Sequence, residues 1–469
     1  MVRYLTQLCL VLMLAGCAEH RKTNAMNETK PAGKSAERQV TSGPGGRILT
    51  NIRVWSPDGQ WIAYDVRSDA AGDQFDGDRI EMVNVASGEV KLVYRARAQA
   101  RCGVVTFHPV ENKAVFILGP EDPTPDWQYN AYHRQGLIVD LAKPSRAPEN
   151  LDARDLVAPL TPGALRGGSH VHVWDGAGEC VSFTYEDHLL AVFSEESPEH
   201  EMNLRNVGVS MPGRPVHAGK EHARNHNGSH FSVLVTRTVA YPRPGSDEIK
   251  RAFEEGWVGT NGYVRRDGSR QRRALAFQGH VIIAGGETLS EVFIVDLPED
   301  LTAPGDGPLE GTAVRRPLPP RGTVQRRLTY TADRKFAGLQ GPRHWLRCSP
   351  DGSRIAFLMK DDAGIVQLWT ISPNGGAPVQ VTRNRWPVAS TFTWSPDGRF
   401  MAHVMDRSVC VTDTGNGATH RLTLPSDEST APRPEACVFS PDGRQIAFVR
   451  RLAGTGGIAN QICVVSVGH

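Results

Sequence analysis

The chain has 469 residues, enough for one large repeat domain or two to three ordinary ones. Lys and Arg number 53 against 51 Asp and Glu, and a net charge of +2 gives no reason to expect nucleic acid as a partner. Gly (47) and Pro (32) are frequent, which suits many short strands joined by tight turns.

Arg3 precedes an apolar run from Leu8 to Leu14 that is too short to span a bilayer and ends in small residues. This predicts a signal peptide over 1–16. Leu14-Ala15-Gly16-Cys17 resembles the lipobox of bacterial lipoproteins. The resemblance implies cleavage before Cys17 and a lipid on its sulfur, anchoring the protein to a membrane. Ala18 after the cysteine implies the outer membrane, facing the periplasm or the cell surface. Residues 17–36 are polar and lack periodicity, so they read as a flexible tether. The rest, 37–469, reads as one domain.

That domain is built on a repeat. Trp55-Ser56-Pro57-Asp58-Gly59 recurs as Cys348-Ser349-Pro350-Asp351-Gly352, Trp394-Ser395-Pro396-Asp397-Gly398 and Phe439-Ser440-Pro441-Asp442-Gly443. Pro fixes φ near −65° after Ser, Asp suits a type I turn, and Gly takes the left-handed residue. The strand after each turn holds one small residue between large ones: Ala63, Ala356, Ala402 and Ala447. A small residue there lets neighbouring sheets approach. Four antiparallel strands per unit, repeated, predict an all-β chain: a seven-bladed β-propeller of four-stranded blades.

Taken in order, blade 1 spans about 50–97. Blade 2 turns at Phe107-His108-Pro109, and blade 3 at Val173 to Gly178. Blade 4 is expected to begin near His230-Phe231 and to be greatly expanded, with later strands at Arg273 to Ile283, Glu291 to Leu297 and Val324 to Thr329. Within it, a helical and basic insertion is expected at about 240–275. Ser246 would cap a helix whose Ile249, Ala252, Phe253 and Trp257 share a face, and five arginines follow between Arg265 and Arg273. Blades 5 to 7 start at about 340. The last unit stops at its third strand, Gln461 to Val467, while Arg38-Gln39-Val40-Thr41 looks like a fourth strand. The N-terminal strand is therefore expected to close the ring. Cys102, Cys180, Cys348, Cys410, Cys437 and Cys463 are expected as buried thiols.

The Ser-Pro-Asp-Gly units resemble the WD40-like repeats of TolB-type propellers. Leu165 to Val173, Glu254 to Gly259, Val324 to Thr329 and Pro342 to Trp345 resemble a bacterial family typified by YidR, to which no activity is assigned.

Residues upstream of each turn should lie at the channel mouth, and histidines gather there. His170 and His172, two apart, should share a strand face. With His230, His344 and Gln340 they form a candidate site for a divalent metal, manganese, zinc or calcium. The set is distantly similar to that of oligogalacturonate lyases, seven-bladed propellers whose Mn²⁺ is held by histidines and a glutamine. It departs from that pattern: Gln340 and His344 are four apart, and Leu346 stands where a further His would be expected. Arg343 and Arg347 stand nearby as ligand-binding or catalytic candidates. Asp69, Asp73, Asp76 and Asp78 share a loop read as a solvated turn. No Gly-x-Ser-x-Gly elbow occurs. The function expected is a monomeric, lipid-anchored binding or scaffold module for an envelope protein or anionic glycan. The alternative is a metal-dependent, uronate-lyase-like enzyme using the histidines.

Overall fold

The computed structural model describes residues 37–192 and 200–468. The signal sequence, the tether and Cys17 lie outside the described residues. Seven four-stranded antiparallel sheets follow one another along the chain. Their inner strands are Gly46–Ile48, Cys102–Phe107, Gly167–Trp174, Ile249–Trp257, Arg347–Cys348, Thr393–Trp394 and Cys437–Phe439. The fold is the expected seven-bladed propeller.

Each Ser-Pro-Asp-Gly turn is held by the same local bonds. The serine hydroxyl donates to the aspartate at 2.5–2.6 Å in all four copies. It accepts the backbone N–H five residues on, as from Phe400 to Ser395 at 2.9 Å. The glycines Gly59, Gly352, Gly398 and Gly443 have φ of +69° to +79°, which their lack of a Cβ permits. Added Cβ atoms on Gly398, Gly443 and Gly59 would meet Pro350, Pro396 and Pro441 at 3.3–3.7 Å. The turns of blades 5, 6, 7 and 1 thus touch in sequence around the ring.

The inner strands are also tied to each other. The indole N–H of Trp55 donates to Val438 O in blade 7 at 3.0 Å, and that of Trp394 to Arg347 O in blade 5 at 3.0 Å. Trp257 does the same to Val173 O at 2.9 Å. The alanines of the second strands are fully buried, as their role in sheet packing requires. The six cysteines among the described residues are free, five of them buried as expected and Cys348 half-buried.

Closure is as expected too. Arg38–Gln39 forms the outer strand of the blade holding Cys437–Phe439, in register Arg38↔Val464 and Gln39↔Cys463.

Two expectations fail. Residues 249–257 are not a helix. They form the inner strand of blade 4, paired with Ala274–Ile282. The basic stretch after them is a small hairpin, Tyr263–Val264 with Arg270–Gln271. Blade 4 does not begin near residue 230 either: Phe231–Leu234 is the outer strand of blade 3.

Candidate functional site

The inner strands of blades 2 to 4, and the run that follows the inner strand of blade 1, share a departure from regular pleating. Arg53, Val104, Val171 and Glu254 have φ of +53° to +59°, a left-handed conformation that non-glycine residues adopt only where the surroundings enforce it. In blades 2, 3 and 4 it coincides with a bulge: between Gly103 and Thr106, His170 and Val173, and Phe253 and Gly256. A bulge adds a residue and re-aims the side chains around it. Here it concentrates polar side chains along the axis.

At the end of the channel away from the Ser-Pro turns, Glu254 accepts from Arg343 Nε at 2.7 Å. Its other oxygen is buried without a partner. Arg343 itself is 64% exposed and lies over the Trp345 ring. Arg205, bonded to Glu186 at 2.8 Å, and Arg251, stacked on Phe253, face the same cluster electrostatically. His170 lies among Arg134, Arg205 and Arg343, and burial with this positive surrounding holds its pKa well below the ordinary value. The neutral ring leaves a mouth of four arginines, with Glu186 and Glu254 as the acids bonded within it.

One residue deeper, Glu255 is buried, accepts from Thr184 Oγ1 at 2.8 Å and has one oxygen unpartnered. Burial raises its pKa to about 7. Beyond it lies Arg347, buried, bonded to Asn51 Oδ1 and to Leu346 O. At the turn side the channel opens into a cavity of about 290 Å³ that includes Arg53 and Arg347 in its wall.

The expected histidine set is not brought together. The bulge at Val171 breaks the alternation, so His170 and His172 do not share a regular strand face. His172 Nε2 bonds Ser169 Oγ at 2.9 Å, and Ser169 donates to Asp152 at 2.9 Å. His230 stands at the start of the outer strand of blade 3, far along its sheet from the axis, with Nδ1 on Ser229 Oγ. His344 uses both ring nitrogens: Nε2 accepts from Leu358 N–H at 3.1 Å and Nδ1 meets Pro342 O at 2.9 Å. Gln340 donates to Ala337 O. Among the described residues no group of three or more His, Cys, Asp or Glu is arranged to hold a metal ion. Arg343 and Arg347 do lie on the channel, at different depths. In the aspartate loop, Asp69 accepts from the backbone of Asp73 and Gln74, as a turn residue does.

Sequence reasoning missed Arg53, Arg134, Arg205, Arg251 and the Glu254–Glu255 pair as site residues. The signal they left was the run Glu254-Glu255-Gly256, which served only as a mark of family resemblance.

A family profile described as a protein of unknown function, DUF3748, matches residues 101–226. The chain is 48% identical over 418 residues to the uncharacterized protein YidR of Escherichia coli (strain K12), covering 88% of this chain and 95% of that protein. Among solved structures it is similar to oligogalacturonate lyase in complex with manganese, with TM-score 0.53, 10% identity and coverage of 93% and 97%. TolB from Acinetobacter baumannii matches at TM-score 0.34 and 11% identity, with coverage of 93% and 97%. At such identities the lyase likeness is one of fold. By its identity to YidR across most of both chains, this seven-bladed propeller belongs to the bacterial family that YidR typifies.

Proposed function

We propose that the protein is a binding module of the cell envelope, anchored by a lipid on Cys17, that takes carboxylate groups of an anionic glycan or protein segment at the arginine mouth. The observation that carries this is the convergence of Arg134, Arg205, Arg251 and Arg343 around His170 and Glu254. Arginine forks match carboxylates bidentately, and no carboxylate bonded to Arg251 or Arg134 satisfies them within the described hydrogen bonds. The lyase-like alternative needs a histidine-held metal, and both ring nitrogens of His344 and the Nδ1 of His230, already engaged in hydrogen bonds, argue for binding instead.

Two probes test it: an oligouronate and an oligoglutamate, each titrated calorimetrically beside a neutral oligosaccharide of equal size. At least one acid should bind, more weakly as salt rises. The Arg251→Ala/Arg343→Ala protein should bind it roughly tenfold more weakly. Binding of neither acid above the neutral control overturns the reading. For the anchor, labelled palmitate should be incorporated by the unaltered protein and not by Cys17→Ser. Equal labelling would refute it.

A further inference from the structure

The opposite end of the channel carries a different observation. The cavity of about 290 Å³ on the turn side is walled by residues of all seven blades. Its aromatic wall comprises Trp55, Trp174, Trp257, Trp394, Phe107 and Phe439. The indole N–H groups of Trp55, Trp257 and Trp394 are already spent on neighbouring carbonyls. These rings therefore show the cavity only their apolar surface.

Two arginines, Arg53 and Arg347, line the same space. The Nε of each is buried and has no partner. Arg53 reaches only Asp175 O, at 3.4 Å, and Arg347 reaches Asn51 Oδ1 and Leu346 O. No carboxylate is bonded to either. Asp175 holds Arg273 at 3.1 Å, Glu254 holds Arg343, and Glu255 accepts from Thr184. Burial lowers both to about 10; the field of Asp175 at Arg53, and of Glu255 and Glu254 at Arg347, offsets this only in part, and Arg347 also senses Arg53. A buried charge without a bonded counter-ion is unfavourable unless something pairs it. Arg53 is moreover held at φ +53°, a strained conformation that persists in a non-glycine residue only where its surroundings over-determine it.

We propose that this cavity is a binding site for a small organic carboxylate with an aromatic or apolar body. The carboxylate sits between Arg53 and Arg347, and the body lies against the tryptophan wall. The volume is that of a small-molecule pocket rather than a protein groove. This site is separate from the arginine mouth at the other end and does not rest on the function proposed there.

The test uses the purified full chain and its tryptophan fluorescence. Phenylacetate should change the emission saturably, and 2-phenylethanol, of nearly the same shape but neutral, should bind at least tenfold more weakly. Arg53→Gln and Arg347→Gln should each weaken phenylacetate at least tenfold, while Arg251→Ala/Arg343→Ala should leave it unchanged. Equal affinity for acid and alcohol, or no saturable response to the acid, would overturn the proposal. So would unchanged affinity in both glutamine variants. If a glutamine variant does not fold, the acid-against-alcohol comparison on the unaltered chain decides by itself.

Discussion

A chain beginning at Ser42 should melt about 5 °C below one beginning at Glu37, because residues 37–41 complete blade 7. Val40 N–H donates to Ile462 O at 2.9 Å. Thr41 Oγ1 donates to Gln461 Oε1 and accepts from Ile462 N–H, both at 2.9 Å. With the strand ladder, these lost hydrogen bonds come to about 3 kcal/mol at about 1 kcal/mol each. Burial of Val40, 6% exposed, adds about 2 kcal/mol. Glu37 also pairs with Arg450 at 2.7 Å, leaving a 5% exposed guanidinium short of its carboxylate when removed. Unfolding entropy of roughly 0.9 kcal/mol/K for a domain of this length turns about 5 kcal/mol into about 5 °C. Calorimetric melts of the two chains measure the difference. Coincident melts would mean that the ring is held shut without this strand.

Acidification should destabilise the protein through its buried histidines. His172 is held at about 3, and His344 and His403 at about 4, in each case mainly by burial. Protonating His344 would also break the bond its Nε2 accepts from Leu358 N–H. An unfolded histidine titrates near 6.5, so below that pH the unfolded chain binds protons that the folded chain refuses. Stability is therefore lost as pH falls from about 6.5 toward 4. At pH 5 each of the three contributes a loss of about 2 kcal/mol. His170 adds in the same direction. Glu255 works oppositely. Its folded pKa of about 7 lies above its unfolded value, so the folded chain takes that proton first. Between pH 7 and 5 this returns about 2 kcal/mol. Together these four groups lose about 4 kcal/mol at pH 5, a loss enlarged by His170 and by His133, His188, His226, His230 and His280, which burial lowers likewise. Urea unfolding at pH 7.5 and pH 5 should show it. His403→Gln should shrink the loss by about 2 kcal/mol and Glu255→Gln should enlarge it by about 2 kcal/mol. A pH-independent midpoint in the unaltered protein would contradict this balance.

The parts of this fold that were legible in the sequence are those whose chemistry is local. A Ser-Pro-Asp-Gly turn bonds to itself, so its residues announce it. The closing strand was legible for the same reason. Gln39 donates to Thr41 O at 2.7 Å, as Gln380 donates to Thr382 O at 2.8 Å in blade 5. Thr41 and Thr382 each cap the third strand by accepting a backbone N–H at 2.9 Å. The blade 4 strand was not legible, because bulges reset its alternation. Register shifts between Ile249 and Ala252, and between Phe253 and Gly256, place buried residues three and four apart. That spacing is the signature of a helix. The same device at Val171 defeated the inference that His170 and His172 share a face. Arg343 apart, the arginine mouth was illegible for another reason: Arg134, Arg205 and Arg251 belong to blades 2, 3 and 4, the first two in connections between strands, and only the ring assembles them.

The pairing of Thr41 with Gln461 joins residues 420 positions apart. Everything between them must be made before that contact can form. At synthesis rates of about 5–20 residues per second, the closing strand waits roughly 20 to 80 s for its partner. Throughout that interval the first blade has no neighbour on one side, and Val40, Leu49 and Val54, which finally pack against blade 7, face solvent or a holding protein. The birth of this molecule is thus a timing problem: its earliest strand is the last to find its place.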